Sequence, residues 1–179
     1  MRIHYEIHGQ GIPLILGHPL TATAYFADPE LALQKGYVSR LTDRYRVLVL
    51  DYPKIGPDIL KGEMVPPGEL TIDRICTDLL AVADDAGFDR FAFWGYSMGG
   101  VMGLHLAART DRVTALVCGG WPPLGGQYQD MLNFFRLMKS YPNLPAPVDQ
   151  YVTLFESLVL ASQSEAENIK RITCPRMAF

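Results

Sequence analysis

The 179-residue sequence has little of what builds metal-bound or cross-linked scaffolds. Its three cysteines, Cys76, Cys118 and Cys174, are far apart and lack Cys-x-x-Cys spacing, so the pattern predicts neither a disulfide framework nor a zinc site. We expect them to be buried free thiols. No His-Glu-x-x-His motif and no cluster of His, Asp and Glu with ligand spacing occurs. The sequence therefore predicts no bound metal and no cofactor.

Long apolar runs and basic runs are also absent. No segment approaches the roughly 18 uninterrupted apolar residues of a membrane helix, and the first residues lack a signal-peptide core. A formal net charge of −3 without a basic run argues against a nucleic-acid surface, and residues 95–100 do not match a nucleotide-binding glycine motif. We expect a cytoplasmic protein with no membrane span that acts on a small-molecule substrate, and its oligomeric state stays open.

The sequence alternates apolar runs with helical spacing. With 49% hydrophobic and 20% charged residues, it can bury the core of one domain. Strands are predicted at residues 2–7, 12–16, 45–51, 91–94 and 113–118, and we expect the first two to start the sheet. A helix is predicted from a Thr71 cap to a stop at Gly87. This order predicts an α/β fold, a mostly parallel sheet with helices on both faces.

The pattern changes after residue 119. Amphipathic stretches at 131–140 and 149–162 and a polar, helix-like tail predict a helical lid insertion at residues 121–170. One apolar stripe there either lines a pocket or packs in the ordinary way: Met131, Leu132, Phe134, Phe135, Leu137 and Met138. Residues 172–179 look like the beginning of another strand.

The most informative segment reads Gly-Tyr-Ser-Met-Gly at residues 95–99. It follows a predicted strand and precedes a predicted helix, which is the context that a Gly-x-Ser-x-Gly motif requires. Gly95 and Gly99 permit a sharp turn that holds Ser97 in a strained conformation and presents its hydroxyl. Ser97 is therefore a candidate nucleophile; the alternative is a glycine-rich turn without chemistry.

With residues 14–20 and 48–53, this segment resembles the α/β-hydrolase fold family, of the broad esterase, lipase and peroxidase-like kind. The resemblance runs over essentially the whole chain. It implies acyl transfer to serine through a tetrahedral oxyanion, followed by hydrolysis of the acyl-enzyme. One oxyanion donor would be the backbone N–H of Met98, at a helix N-terminus. The second would come from Leu20, with Thr21 as the next choice, because Pro19 has no N–H.

The acid and the histidine that this family places after the lid are missing from the sequence. Its four histidines are His4, His8, His18 and His105. His105 follows Ser97 by eight residues on the same predicted helix, about 12 Å along it, so we interpret it as a core or groove histidine. His18 is expected to shape its loop, and neither Asp51 nor Asp130 fits the triad acid. We therefore expect residues 1–179 to be one incomplete domain, weakly stable and nearly inactive alone.

Three functional hypotheses remain open. The first is a serine hydrolase acting on a small carboxylic ester or related acyl substrate. The second is a non-catalytic module that binds a small ligand. The third is C–C bond hydrolysis, acyl transfer or perhydrolysis on the same scaffold. Epoxide and haloalkane hydrolysis are disfavoured, because those members of the family use aspartate where this sequence has Ser97.

Overall fold

A computed structural model describes residues 3, 5–17, 38–50, 70–120, 127–141 and 148–179. The described chain forms one six-stranded sheet with helices packed against it. The strands are β1 (Tyr5–His8), β2 (Ile12–Gly17), β3 (Tyr45–Leu50), β4 (Phe91–Tyr96), β5 (Val113–Gly119) and β6 (Arg176–Ala178). The helices are α1 (Ile72–Asp85), α2 (Met98–Ala107), α3 (Gln127–Met138), α4 (Val148–Ser162) and α5 (Glu165–Arg171).

The sheet order is β1-β3-β2-β4-β5-β6. β1 is antiparallel to β3, and every other pairing is parallel. The predicted mostly parallel α/β fold is therefore confirmed. β1 lies at the edge of the sheet, and β3 inserts between β1 and β2. A tight turn joins β1 and β2 along the chain, but the order of strands is decided by where the later chain returns to the sheet.

Helix α1 forms where the sequence predicts it. Thr71 caps its N-terminus, since the Thr71 side chain accepts a hydrogen bond from the Arg74 N–H at 3.2 Å. Gly87 follows the helix with φ +70°, the left-handed conformation that ends many helices. Its apolar face enters the main core through Ile75 and Leu79, which are 0% and 1% exposed.

Helix α2 is buried almost all round, because it lies between the sheet and the other helices. Gly103 on α2 lies directly against the Phe93 ring of β4, where a Cβ would come within 2.6 Å of a ring carbon. Met102 and Leu106 are 0% exposed in the same core. Helix α2 and the sheet therefore approach each other closely at Gly103.

The described part of the predicted lid forms α3, α4 and α5. Leu132 and Phe135 are buried, and the Phe135 ring packs against Phe155 of α4 at 5.3 Å between centroids, whereas Phe134 and Leu137 are exposed. Part of the apolar stripe thus packs in the core, and a pocket lined by the rest stays a prediction. Phe155 and Leu158 of α4 belong to the main core, and the Ser157 hydroxyl accepts the Ile72 N–H of α1 at 2.9 Å. A lid spanning residues 121–170 stays a prediction.

Cysteine burial matches the sequence at two positions of three. All three cysteines are free; Cys76 and Cys118 are buried, but Cys174 is only partly so, because it lies in the segment between α5 and the edge strand β6. Within the described residues, no helix is both long enough and apolar enough to cross a membrane.

Candidate active site at the turn between β4 and α2

The turn from β4 into α2 depends on a glycine at position 95. A Cβ built on Gly95 would overlap the carbonyl oxygen of Gly99 and lie 2.6 Å from the Gly100 nitrogen. Both atoms belong to the backbone of the first turn of α2, so they cannot rotate away. Only glycine allows the end of the strand and the start of the helix to come this close.

Ser97 sits at the tip of this turn in a strained conformation. Its φ is +53° and its ψ is −122°, and among the described residues it is the only non-glycine with positive φ. An L-residue in this region costs on the order of 1–3 kcal/mol, which the surrounding structure must supply. The predicted sharp turn is therefore present, and it falls on the candidate nucleophile.

Hydrogen bonds to β5 hold the strained residue in place. The Ser97 N–H donates to the Gly119 carbonyl oxygen at 2.7 Å, and the Ser97 carbonyl accepts the Gly100 N–H at 2.9 Å. The Cys118 thiol donates to the Gly100 carbonyl oxygen at 3.3 Å. The side chain of Ser97 caps no helical N–H, so its hydroxyl is not engaged by its own helix.

Of the two predicted oxyanion donors, one lies within the described residues. Met98 is the first residue of α2, so its N–H is among those that an α-helix leaves without an intrahelical partner. The helix dipole favours negative charge at this end. Leu20 lies outside the described residues, together with Thr21, His4, His18 and Asp51. The role of each of these residues stays a prediction.

Neither described histidine lies at the turn. His8 is on the edge strand β1, with Nε2 3.1 Å from the Glu6 carboxylate. His105 is in the last turn of α2, eight residues beyond Ser97, and is 1% exposed. Of the two predicted positions, core or groove, the structure places His105 in the core. Asp130 lies on the exposed side of α3.

Comparison with known families and proteins gives this geometry a context. The model of a family described as "Alpha/beta hydrolase family" matches residues 7–169. The chain belongs to the alpha/beta hydrolase family. The match covers the strands β2 to β5, the turn at Ser97 and the helices α1 to α4.

This alpha/beta hydrolase is similar to curated proteins with different names. It is 29% identical over 126 residues to a protein named as a carbamate hydrolase, RutD, of Azorhizobium caulinodans, covering 69% of this chain and 43% of that protein. It is 29% identical over 145 residues to haloalkane dehalogenase 2 of Mycobacterium tuberculosis, covering 79% and 46%. The chain thus spans about half the length of the curated relatives it matches.

Among solved structures, the enol-lactonase of Burkholderia xenovorans LB400 has a similar fold. The superposition has a TM-score of 0.57 at 21% identity and covers 98% of this chain and 76% of the lactonase. At this identity the likeness concerns the fold alone.

The chain buries a carboxyl group that is not predicted from the sequence. Glu165 begins α5 and is 2% exposed, although its surroundings read as a polar tail. Its Oε1 accepts the Tyr128 hydroxyl at 2.8 Å and lies 3.8 Å from Nε2 of His105. Tyr128 had a signal in the sequence, because it continues the spacing of Leu132 and Phe135 on one helix face. Glu165 had none.

The pKa of His105 reflects its position. Burial, together with the neighbouring Arg109 cation, lowers the pKa of the imidazole to about 4, while Asp73 acts in the opposite direction. At neutral pH this histidine is therefore uncharged. The uncharged form is the one that accepts a proton, but a pKa of about 4 makes this imidazole a weak base, and its place in the last turn of α2 keeps it away from Ser97.

A cavity of about 270 Å³ lies behind α2, and neither Ser97 nor Met98 lines it. Its walls come from α2, β5, β6, α3 and α5: Gly100, Val101, Leu104, Leu116, Cys118, Tyr128, Ile169, Arg176, Met177 and Ala178. The part of the chain that the structure describes holds no group of three His, Cys, Asp or Glu side chains placed to bind a metal.

Proposed function

We propose that the chain carries the nucleophile of a serine hydrolase and that the natural full-length protein hydrolyses a small carboxylic ester or a related acyl substrate. The observation that carries the proposal is the backbone of Ser97, at φ +53° between β4 and α2. Strain of this kind is retained where the surrounding structure over-determines it, often at catalytic positions. The close approach of Gly95 and Gly99 supports the same reading.

In the proposed reaction, Ser97 Oγ attacks the substrate carbonyl carbon while a general base takes the hydroxyl proton. The carbonyl electron pair moves to oxygen, and the Met98 N–H stabilises the oxyanion; Leu20 is the proposed second donor. Collapse of this intermediate breaks the bond to the leaving alcohol, which receives the proton from the base. Water then repeats the sequence on the acyl-enzyme and releases the acid. The family resemblance assigns the base to a histidine that follows the lid, and the sequence of residues 1–179 has no histidine after His105.

The serine at position 97 and the names of the relatives narrow the class of substrate. A serine supports acyl chemistry, whereas haloalkane dehalogenation within this family uses aspartate at that position. The name of the Azorhizobium relative makes a carbamate a second acyl substrate worth testing. Both substrates pass through the same tetrahedral oxyanion at a carbonyl carbon.

The proposal is tested by hydrolysis of p-nitrophenyl esters of short carboxylic acids and of an aryl carbamate. The natural full-length protein, its Ser97→Ala variant and a Ser140→Ala control are compared; Ser140 is exposed at the end of α3. We expect Ser97→Ala to lower kcat/KM by about 10³-fold or more, and Ser140→Ala to leave it unchanged. Equal rates for wild type and Ser97→Ala would reject the proposal. Saturable ligand binding that is indifferent to Ser97→Ala would then favour a binding module.

A further inference from the structure

Three helices meet at a buried polar cluster near the C-terminal end of α2, the end away from Ser97. His105 contributes from α2, Tyr128 from α3 and Glu165 from α5, and these residues are 1%, 2% and 2% exposed. A buried polar group is costly unless it is paired, so the arrangement of donors and acceptors here constrains how the helices sit.

The tautomer of His105 follows from its neighbour Arg109. Nη1 of Arg109 lies 3.2 Å from Nδ1 of His105, and a guanidinium group can only donate hydrogen bonds. Nδ1 must therefore accept, which places the proton of the neutral imidazole on Nε2. Arg109 is itself fixed, because Nη2 donates to Asp73 Oδ1 of α1 at 2.5 Å and Nη1 donates to the His105 carbonyl at 2.9 Å.

The resulting Nε2–H faces α5. Nε2 lies 3.8 Å from Oε1 of Glu165, too far for a hydrogen bond, and it has no other hydrogen-bond partner within the described residues. The donor and the carboxyl oxygen still attract each other across this short, buried gap. The same Oε1 accepts the Tyr128 hydroxyl at 2.8 Å, so all three side chains converge on one oxygen.

Tyr128 and Glu165 are 37 positions apart in the sequence. Tyr128 lies in the first turn of α3, and Glu165 is the first residue of α5. Their hydrogen bond therefore joins the two ends of the segment 128–165, which contains α3 and α4. The hydrogen bond between Tyr128 and Glu165 lies directly beside His105.

We propose that His105, as its Nε2–H tautomer, is a positioning residue that holds the two ends of the segment 128–165, at Tyr128 and Glu165, against α2. The interactions that hold these ends, called the clasp below, run from Asp73 of α1 through Arg109 and His105 to Glu165. The clasp rests on the proposed function only in that α2 is the helix that begins at the nucleophile. Its effect is to fix α3 and α5 relative to that helix.

The first test reads the tautomer directly. In natural full-length protein with ¹⁵N-labelled histidine, long-range ¹H–¹⁵N spectra near neutral pH should show His105 as the Nε2–H form. Glu165→Gln should shift the Nε2 resonance, and Glu167→Gln should not, because Glu167 is exposed on the same helix and pairs with Lys170. An Nδ1–H tautomer, or an Nε2 resonance indifferent to Glu165→Gln, would overturn the proposal.

The second test measures the clasp through amide hydrogen exchange in α3. Tyr128→Phe removes one buried oxygen atom, and we expect exchange in the first turns of α3 to become about tenfold faster, since a lost buried hydrogen bond costs roughly 1.4 kcal/mol. Tyr141→Phe, at an exposed position, should leave exchange unchanged. Glu165→Gln should retain most of the protection, because an amide oxygen also accepts, whereas Glu165→Leu should lose it.

Unchanged exchange in Tyr128→Phe would contradict the clasp. Neither spectra nor exchange depends on a reactive serine, so the outcomes separate cleanly. A protein with the Nε2–H tautomer but no hydrolysis would reject the proposed function alone. A hydrolase with the Nδ1–H tautomer would reject the clasp alone.

Discussion

The carbonyl oxygen of Gly99 occupies the space that a side chain on Gly95 would need. Two residues four apart in the sequence thus define how the strand enters the helix. The proposed chemistry depends on this contact, because it places Ser97 at the tip of the turn and the Met98 N–H at the start of α2.

Gly95→Ala should therefore disrupt both the fold and the site. The added Cβ meets only backbone atoms, so we expect a loss of about 2–3 kcal/mol in the free energy of unfolding. A displaced Ser97 should also lower hydrolysis by about 10²-fold. Urea denaturation and ester hydrolysis measure the two effects.

Gly87→Ala provides the matched control. Gly87 has φ +70° but nothing within 4 Å of an added Cβ, so the substitution should cost only the backbone strain, about 1–2 kcal/mol, and leave hydrolysis unchanged. If the two alanine variants behaved alike, close approach at Gly95 would not be the determining feature.

Ser97 itself offers a test of stored strain. Ser97→Gly should be more stable than Ser97→Ala by about 1 kcal/mol, because glycine adopts positive φ without the Cβ penalty. Both variants should lack hydrolytic activity, so strain and chemistry are measured separately. Equal stability in denaturant titrations would indicate that Ser97 is not strained.

Sequence patterns predicted the local elements well and the long-range relations less well. The periodicity of α1, its Thr71 cap and its Gly87 stop are local, and all three are present. The insertion of β3 between β1 and β2 is not encoded locally, since it depends on where the chain returns to the sheet. Ile3 is predicted as strand, yet β1 begins at Tyr5; Arg2 and His4 lie outside the described residues.

The candidate site shows the same division. Ser97 was predicted from a five-residue motif whose geometry is set by two glycines. The burial of Glu165 could not be predicted, because it depends on Tyr128 and His105, which are distant in sequence and meet only in the folded chain. The amphipathic stretch of α4 is predicted to belong to a lid; Phe155 and Leu158 in this stretch pack in the main core, a contact that the local pattern does not specify.

Stability should fall as the pH drops from about 6.5 to about 4. Burial lowers the pKa of His105 to about 4, whereas the unfolded chain binds that proton near 6.5. The unfolded state therefore takes up the proton first, and neutral His105 contributes stability above pH 6.5 that is lost toward pH 4. The loss is on the order of 3 kcal/mol.

Urea denaturation from pH 4 to pH 7 measures this dependence. His105→Gln cannot titrate, so the difference in unfolding free energy between wild type and variant should change over this window. A constant difference would show that the pKa of His105 is not lowered by folding. Comparing the two proteins removes the contribution of the carboxyl groups that both contain.

The three thiols should differ in reactivity. Burial raises the pKa of Cys76 and of Cys118 to about 12, so neither forms a thiolate at pH 8. The pKa of Cys174 is also raised by burial, but this residue is only partly covered. Iodoacetamide should alkylate Cys174 first in native protein and all three after denaturation, as peptide mass spectrometry would report. Early alkylation of Cys76 or Cys118 would contradict the described packing.

The most direct test of the central claim is covalent labelling of the natural full-length protein with a fluorophosphonate. Mass spectrometry of the digested protein then locates the label. A reactive, activated serine at the turn predicts one phosphonyl group on the peptide that contains Ser97, and none after Ser97→Ala. An unlabelled wild-type protein, or a label elsewhere that persists in Ser97→Ala, would contradict a nucleophilic role for Ser97.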